Sequence, residues 1–208
     1  MFILEKTDDS FLQSLKKPGY FLGSFDPLHE GHISVVKKII SEKLCDAVLV
    51  YCVNGKSNYK RRSDFFSRTQ SCEKAFSYFD NVIISYLSPR ELQKKITKEQ
   101  NGFAVPKFEF GISAIIGSDI VKNLINKNSN EETEKNRQFL QSTFMKGILN
   151  EKIDDSILCS IIIPASDFIV ALREDDKKED IPGHIFGKPV RNIIEIPLTR
   201  RMSSSKIR

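Results

Sequence analysis

The sequence predicts an α/β fold: a doubly wound, mostly parallel sheet with helices on both faces. Short apolar runs rich in β-branched residues alternate along the chain with longer segments of helical periodicity, a pattern typical of parallel strands joined by crossover helices. Polar segments follow several of the apolar runs, and parallel strands bring such segments to one edge of a sheet, where ligands bind. Together these observations predict a Rossmann-like architecture.

A short helix ends near Lys17, and a buried strand over 20–22 leads into a helix over 31–44 whose apolar residues recur at helical spacing. A second buried strand over 46–53 is followed by a polar loop and by a helix that begins near Ser63. The later elements are predicted as strands over 82–86, 112–116, 157–163, 168–172 and 193–196, helices over 88–99, 119–126 and 131–149, a charged loop over 173–180 and a final turn capped by Ser203.

The chain has 208 residues, enough for one domain, with 1–18 as an N-terminal extension and 126–166 as an insertion. The net charge of +5 is modest and no long basic run occurs, so nucleic acid is not an expected partner. None of the four cysteines is spaced as C-x-x-C, which disfavours a zinc site and indicates reduced thiols. No apolar segment is long enough to span a membrane, so we expect a cytoplasmic protein, for which a homo-oligomer is allowed.

The most informative segment is Gly23-Ser24-Phe25-Asp26-Pro27-Leu28-His29-Glu30-Gly31-His32. It connects the first buried strand to the helix that follows and carries two of the three histidines in the chain. The N-terminus of a helix attracts anions, because its first N–H groups have no partner within the helix and its dipole end is positive. Two imidazole donors at such a position predict a polyphosphate site.

This segment resembles the nucleotidyltransferase superfamily motif G-x-F-D-x-x-H-x-G-H, and 202–208, MSSSKIR, resembles the late motif I-S-S-T-x-I-R. Weaker likenesses lie in 54–60 with Arg68, in 117–119, and in 168–173. Within the superfamily the chain is most similar to nicotinate or nicotinamide mononucleotide adenylyltransferases. The resemblance implies transfer of AMP from ATP, supplied with Mg²⁺, to a phosphorylated small molecule, with release of pyrophosphate.

The resemblance also implies roles for individual residues. Those implied in catalysis are His29, His32 and Arg208. Those implied in ATP binding are Gly23, Ser24, Phe25, Gly31, Lys60, Gly117, Asp119, Ser203, Ser204 and Ser205. Those implied in acceptor binding are Lys56, Arg68 and Arg173. No residue is assigned to a metal.

Other interpretations remain open at this stage. The pyridine-nucleotide branch usually carries a tryptophan after G-x-D, whereas this chain has no tryptophan, which leaves the acceptor open. A pantetheine-phosphate adenylyltransferase, a cytidylyltransferase and a catalytically silent nucleotide sensor are the alternatives. Taken singly, Asp119 also fits a plain turn, Arg68 a salt bridge on its helix and Arg173 the first charge of a surface loop, and we expect His184 to be structural.

Overall fold

The computed structural model describes residues 2–4, 9–53, 62–87, 89–100, 103–127, 165–173, 175–185 and 188–196. Its strands are β1 (Phe2–Ile3), β2 (Gly19–Gly23), β3 (Val48–Cys52), β4 (Val82–Ser85), β5 (Thr97–Gln100), β6 (Phe103–Pro106), β7 (Ser113–Gly117), β8 (Asp167–Leu172), β9 (His184–Ile185) and β10 (Lys188–Glu195). Its helices are α1 (Asp9–Ser14), α2 (Glu30–Ser41), α3 (Phe65–Phe76), α4 (Pro89–Ile96) and α5 (Ser118–Lys127), with a 3₁₀ turn at Lys178–Asp180.

Eight of the strands form one sheet in the order β1-β4-β3-β2-β7-β8-β10-β9. All neighbours pair in parallel except β9 and β10, which are antiparallel. The chain runs from β2 outward to β3 and β4, and then returns to place β7 on the other side of β2. The strand order therefore reverses between β2 and β7, which is where ligands bind in open α/β sheets. The α/β, Rossmann-like prediction is confirmed.

The central strands are buried along their whole length. Every residue of β3 and of β8 is buried, as expected for parallel strands that are covered on both faces. Burial of a large aliphatic side chain stabilises a fold by about 1.5 to 3 kcal/mol, so these strands hold the sheet edge firmly in place. The Sγ atoms of Cys52 and Cys72 lie 3.6 Å apart in this core, where both thiols are free.

One prediction of secondary structure was wrong. The helix expected over 88–99 ends at Ile96, and Thr97–Gln100 instead pairs with Phe103–Pro106 as a two-stranded antiparallel sheet. The buried side chain of Thr97 is β-branched and suits a strand better than a helix. The sequence also offered a hairpin signal, because Asn101-Gly102 stands between the two paired segments.

The margins of the main sheet also differ from expectation. Phe2–Ile3, in the segment interpreted as an N-terminal extension, pairs in parallel with β4. On the other side, β10 begins at Lys188 rather than at 193, and β9 was not expected. Exposed and more buried residues alternate along much of β10, and only its end forms a continuous apolar run in the sequence. The elements predicted over 131–149 and 157–163 and at Ser203 lie outside the described residues.

None of the helices in the described ranges is both long and apolar enough to cross a membrane.

Candidate functional site

The turn between β2 and α2 is shaped by a buried aromatic ring. Phe25 is 1% exposed and has a positive φ of 45°, and its ring packs directly against the backbone of Gly23. A Cβ atom on Gly23 would lie 2.8 Å from Cζ of Phe25, closer than real contacts allow. Glycine at position 23 is therefore required if this ring is to occupy the turn.

The same turn is tied to the segment that begins α3. The buried carboxylate of Asp26 accepts hydrogen bonds from the backbone N–H of Ser63 at 2.7 Å and from the Ser63 hydroxyl at 2.9 Å. Two hydrogen bonds from one residue to a buried carboxylate fix both its position and its orientation. The histidine-bearing turn is thereby held against the rest of the sheet edge.

Arg68 completes this anchoring. Its guanidinium donates to the carbonyl oxygens of Ser63 at 3.0 Å, Ser24 at 2.5 Å and Val53 at 2.8 Å, and the residue is 5% exposed. The sequence predicted that Arg68 binds the acceptor. In the structure three of its five N–H donors are taken by backbone carbonyls, which supports a positioning role in the site.

The two histidines form a compact pair at the start of α2. Their rings are stacked with centroids 3.8 Å apart, and the ring of His32 also packs edge-to-face on Phe25 at 5.0 Å. The backbone N–H of His29 donates to Nδ1 of His32 at 3.3 Å. A neutral imidazole carries one proton, so a hydrogen bond accepted at Nδ1 places that proton on Nε2, where it can be donated.

The surroundings keep both imidazoles neutral. The pKa of His32 is lowered from 6.5 to about 3, mainly by burial and to a smaller extent by the neighbouring His29 and the positive charge of Arg173. The pKa of His29 is also lowered, first by burial and then by Arg173. The N-terminus of α2 therefore presents hydrogen-bond donors that carry no charge of their own at neutral pH.

Opposite the histidines, the end of β7 and the end of β8 contribute a pair of opposite charges. Arg173 Nη2 lies 2.6 Å from Asp119 Oδ2, and the two side chains are 60% and 39% exposed. Asp119 folds back over Gly117, where a Cβ atom would lie 2.5 Å from Oδ1 of Asp119. Glycine at 117 thus leaves room for the carboxylate at the mouth of the site.

Three further residues at this edge were missed by sequence reasoning. The buried hydroxyl of Ser118 accepts the backbone N–H of Arg173 at 3.1 Å and donates to the carboxylate of Asp176, which also pairs with Lys122. Ser118 was treated as the variable residue of G-x-D, and Asp176 as one charge of a surface loop. Ser118 and Asp176 come together because β7 pairs with β8, and no local sequence pattern predicts that contact.

The structure brings together a majority of the predicted site residues. On the β2–α2 side these are Gly23, Ser24, Phe25, His29, Gly31 and His32. Across the reversal in strand order they are Gly117, Asp119 and Arg173. The predicted residues Lys56, Lys60, Ser203, Ser204, Ser205 and Arg208 lie outside the described part of the chain. The strands β2, β7 and β8 are parallel neighbours, so the residues that follow them lie at the same edge of the sheet, and the charge of Arg173 lowers the pKa of both histidines.

A model of the family described as cytidylyltransferase-like matches residues 20–208, nearly the whole chain. The chain belongs to the cytidylyltransferase-like family. This confirms the resemblance to the nucleotidyltransferase superfamily, and membership of the cytidylyltransferase-like family makes the chain a nucleotidyltransferase by class. The strand-order reversal of this family member carries the histidine pair described above.

Solved structures share the architecture of this cytidylyltransferase-like protein. Plasmodium falciparum nicotinic acid mononucleotide adenylyltransferase complexed with NaAD is similar over 92% of this chain and 82% of that one, with a TM-score of 0.52 and 17% identity. The same protein complexed with APC gives a TM-score of 0.49 at 17% identity over 92% of this chain and 81% of that one. At this identity the first likeness shows the fold. No curated protein matches the sequence.

Two acidic side chains described at this edge of the sheet are engaged in ion pairs. Within the described ranges, no three His, Cys, Asp or Glu residues converge as a metal-binding group. Asp119 is paired with Arg173, and Asp176 with Lys122. Mg²⁺ in nucleotide sites usually keeps several waters and is held largely by phosphate oxygens. Mg²⁺ that arrives with ATP stays a prediction.

Proposed function

We propose that this chain is an adenylyltransferase that moves AMP from ATP to nicotinate or nicotinamide mononucleotide and releases pyrophosphate. The observation that carries the proposal is the stacked, neutral pair His29 and His32 at the N-terminus of α2, at the reversal in strand order. The structural neighbour from P. falciparum is a nicotinic acid mononucleotide adenylyltransferase, and its name agrees with this choice of acceptor.

In the proposed reaction, a phosphate oxygen of the mononucleotide attacks the α-phosphorus of ATP. The bond between that phosphorus and the oxygen bridging to the β-phosphate breaks, and pyrophosphate is the leaving group. Negative charge builds on the non-bridging and leaving oxygens, so catalysis consists mainly of positioning and of hydrogen-bond donation. The Nε2–H of His32 suits this task, because its neutral ring donates a hydrogen bond without having to transfer a proton.

The groups across the site complete the proposal. Asp119 is proposed to accept a hydrogen bond from a ribose hydroxyl, and Arg173 to meet the phosphate of the acceptor, since guanidinium binds phosphate with two parallel hydrogen bonds. The late serines Ser203, Ser204 and Ser205 and Arg208 are proposed to bind the β- and γ-phosphates. Lys56 and Lys60 are proposed to reach the two substrates from the loop after β3.

The experiment is pyrophosphate release from MgATP with nicotinate mononucleotide, nicotinamide mononucleotide or phosphopantetheine supplied separately, and again with MgCTP replacing MgATP. The tested variant is His32→Ala. His184→Ala is the matched control, because His184 is the remaining histidine and stands on β9, four strands from β2, roughly 20 Å away at the usual strand spacing.

Release with ATP and one pyridine mononucleotide, lost in His32→Ala and kept in His184→Ala, is the expected result. Release only with phosphopantetheine, or only with CTP, would replace the acceptor or the nucleotide in the proposal while keeping the reaction class. ATP binding without release in any arm would overturn the catalytic proposal in favour of a nucleotide sensor.

A further inference from the structure

A buried contact joins the end of β8 to the start of α5. The hydroxyl of Ser118, the first residue of α5, accepts the backbone N–H of Arg173, the first residue after β8, at 3.1 Å. The same hydroxyl donates to Oδ2 of Asp176. Ser118 is fully buried, so water does not compete for either hydrogen bond.

Asp176 holds this arrangement from the other side. Its second carboxylate oxygen pairs with Lys122, which lies one turn further along α5. The hydrogen bonds from Lys122 and Ser118 lower the pKa of Asp176, and the bond to Asp176 raises the pKa of Lys122. Both shifts favour the charged forms. One carboxylate thus binds two residues of the same helix turn and holds the segment after β8 against that helix.

The consequence falls on the charged pair at the mouth of the site. Asp119 follows Ser118 in the chain, and the backbone of Arg173 is fixed by Ser118 itself. Their side chains meet at 2.6 Å, and the positive charge of Arg173 reaches His29 and His32. The contact beneath them therefore helps to set the mutual position of Asp119 and Arg173, and the backbone N–H of Asp176 adds to it by donating to the carbonyl oxygen of Arg173 at 3.0 Å.

We infer that Ser118 and Asp176 are positioning residues of the candidate site, which fix the backbone from which Arg173 reaches Asp119 and the histidine pair. The inference rests on the proposed function only in that the positioned groups are those proposed to bind the substrates. The alternative is that the two residues stabilise the fold without setting the electrostatics of the site.

The test is a pH titration of His29 and His32 by NMR in the ligand-free protein, with each signal assigned from a histidine-to-asparagine variant. Arg173→Ala gives the reference shift: loss of the positive charge raises the pKa of His29. Ser118→Ala, which changes no charge, is expected to raise it in the same direction and by at least half as much. Ser118→Thr keeps the hydroxyl and is expected to titrate like the unaltered chain.

A Ser118→Ala protein that loses stability but titrates like the unaltered chain would overturn the inference and leave a purely structural role. No shift in Arg173→Ala would overturn it as well, because Arg173 would then not act on the histidines. Neither outcome depends on any enzymatic activity, so failure of this inference and failure of the proposed function are distinguishable.

If Ser118→Ala does not fold, Asp176→Asn replaces it. Removal of a negative charge near the site by itself lowers a histidine pKa, and so does an unpaired Lys122. A raised pKa of His29 in Asp176→Asn is the expected result, since it arises only when Arg173 has moved away. An unchanged or lowered pKa would overturn the inference.

In turnover, Ser118→Ala and Asp176→Asn are both expected to raise the KM for the acceptor several-fold more than they lower kcat.

Discussion

Replacement of Arg68 by methionine distinguishes a positioning role from the acceptor-binding role that the sequence suggested. The substitution keeps a long side chain and removes three hydrogen bonds, to the carbonyl oxygens of Ser63, Ser24 and Val53. Each hydrogen bond from a charged donor contributes about 1.5 to 3 kcal/mol. The cost of burying the guanidinium is no longer incurred, which offsets part of the loss. We expect the free energy of unfolding to fall by about 3 to 5 kcal/mol.

The measurement is urea denaturation followed by circular dichroism, with Lys74→Met as the matched control. Lys74 lies on the same helix and is exposed, so its replacement also removes one positive charge from α3 but no buried hydrogen bond. The control is expected to change the free energy of unfolding by less than about 0.5 kcal/mol. Arg68→Lys is expected to fall between the two, because an ammonium group lacks the geometry to reach three separate carbonyls.

The reasoning would be refuted if Arg68→Met unfolded at the same urea concentration as the control. If that stable variant also bound the acceptor poorly, with an unchanged KM for ATP, the sequence interpretation of Arg68 as an acceptor ligand would be restored. A destabilised variant that keeps normal substrate affinity in the folded fraction supports the positioning role.

Further predictions concern the histidine pair and two glycines. The pKa of His32 is about 3 in the folded protein and 6.5 ordinarily, so between these pH values the unfolded chain binds more protons than the folded one. The free energy of unfolding therefore falls as the pH drops from 6.5 towards 3. The urea midpoint of His32→Gln should depend less on pH in this range than that of the unaltered chain. Gly23→Ala should cost about 1 to 3 kcal/mol in thermal or urea unfolding, because its Cβ would overlap a buried ring, whereas Gly183→Ala, with open space around it, should cost almost nothing. Gly117→Ala should leave stability within about 1 kcal/mol, since only the end of the Asp119 side chain must move, yet it should raise the KM for ATP; an unchanged KM would argue against a role for that carboxylate.

The parts of the fold that the sequence predicted well are those with a local physical cause. Consecutive residues determine the apolar strands β2 and β3 and the strand–turn–helix around His29 and His32. The structure contains these elements as predicted. The hairpin that begins at Thr97 also has a local signal, the Asn-Gly pair between its strands, which the predicted helix over 88–99 did not take into account.

What the sequence could not supply was the set of contacts between distant segments. Arg68 looks like an available cation until the carbonyls of three separate segments are brought around it. Ser118 and Asp176 look like a variable position and a surface charge until β8 lies beside β7. Burial and partner identity decide these roles, and both depend on chain topology rather than on neighbouring residues.

The reversal in strand order also bears on when the site is formed. Gly19 in β2 pairs with Val48 in β3 on one side and with Ser113 in β7 on the other. The side of the site that carries the histidines therefore depends on contacts between segments close in sequence, whereas the opposite side requires a strand much later in the chain. Contacts that close long loops are slow to form. During synthesis, the residues of the histidine turn leave the ribosome before Asp119 and Arg173, so the two sides of the candidate site should come together only after β7 and β8 have been made.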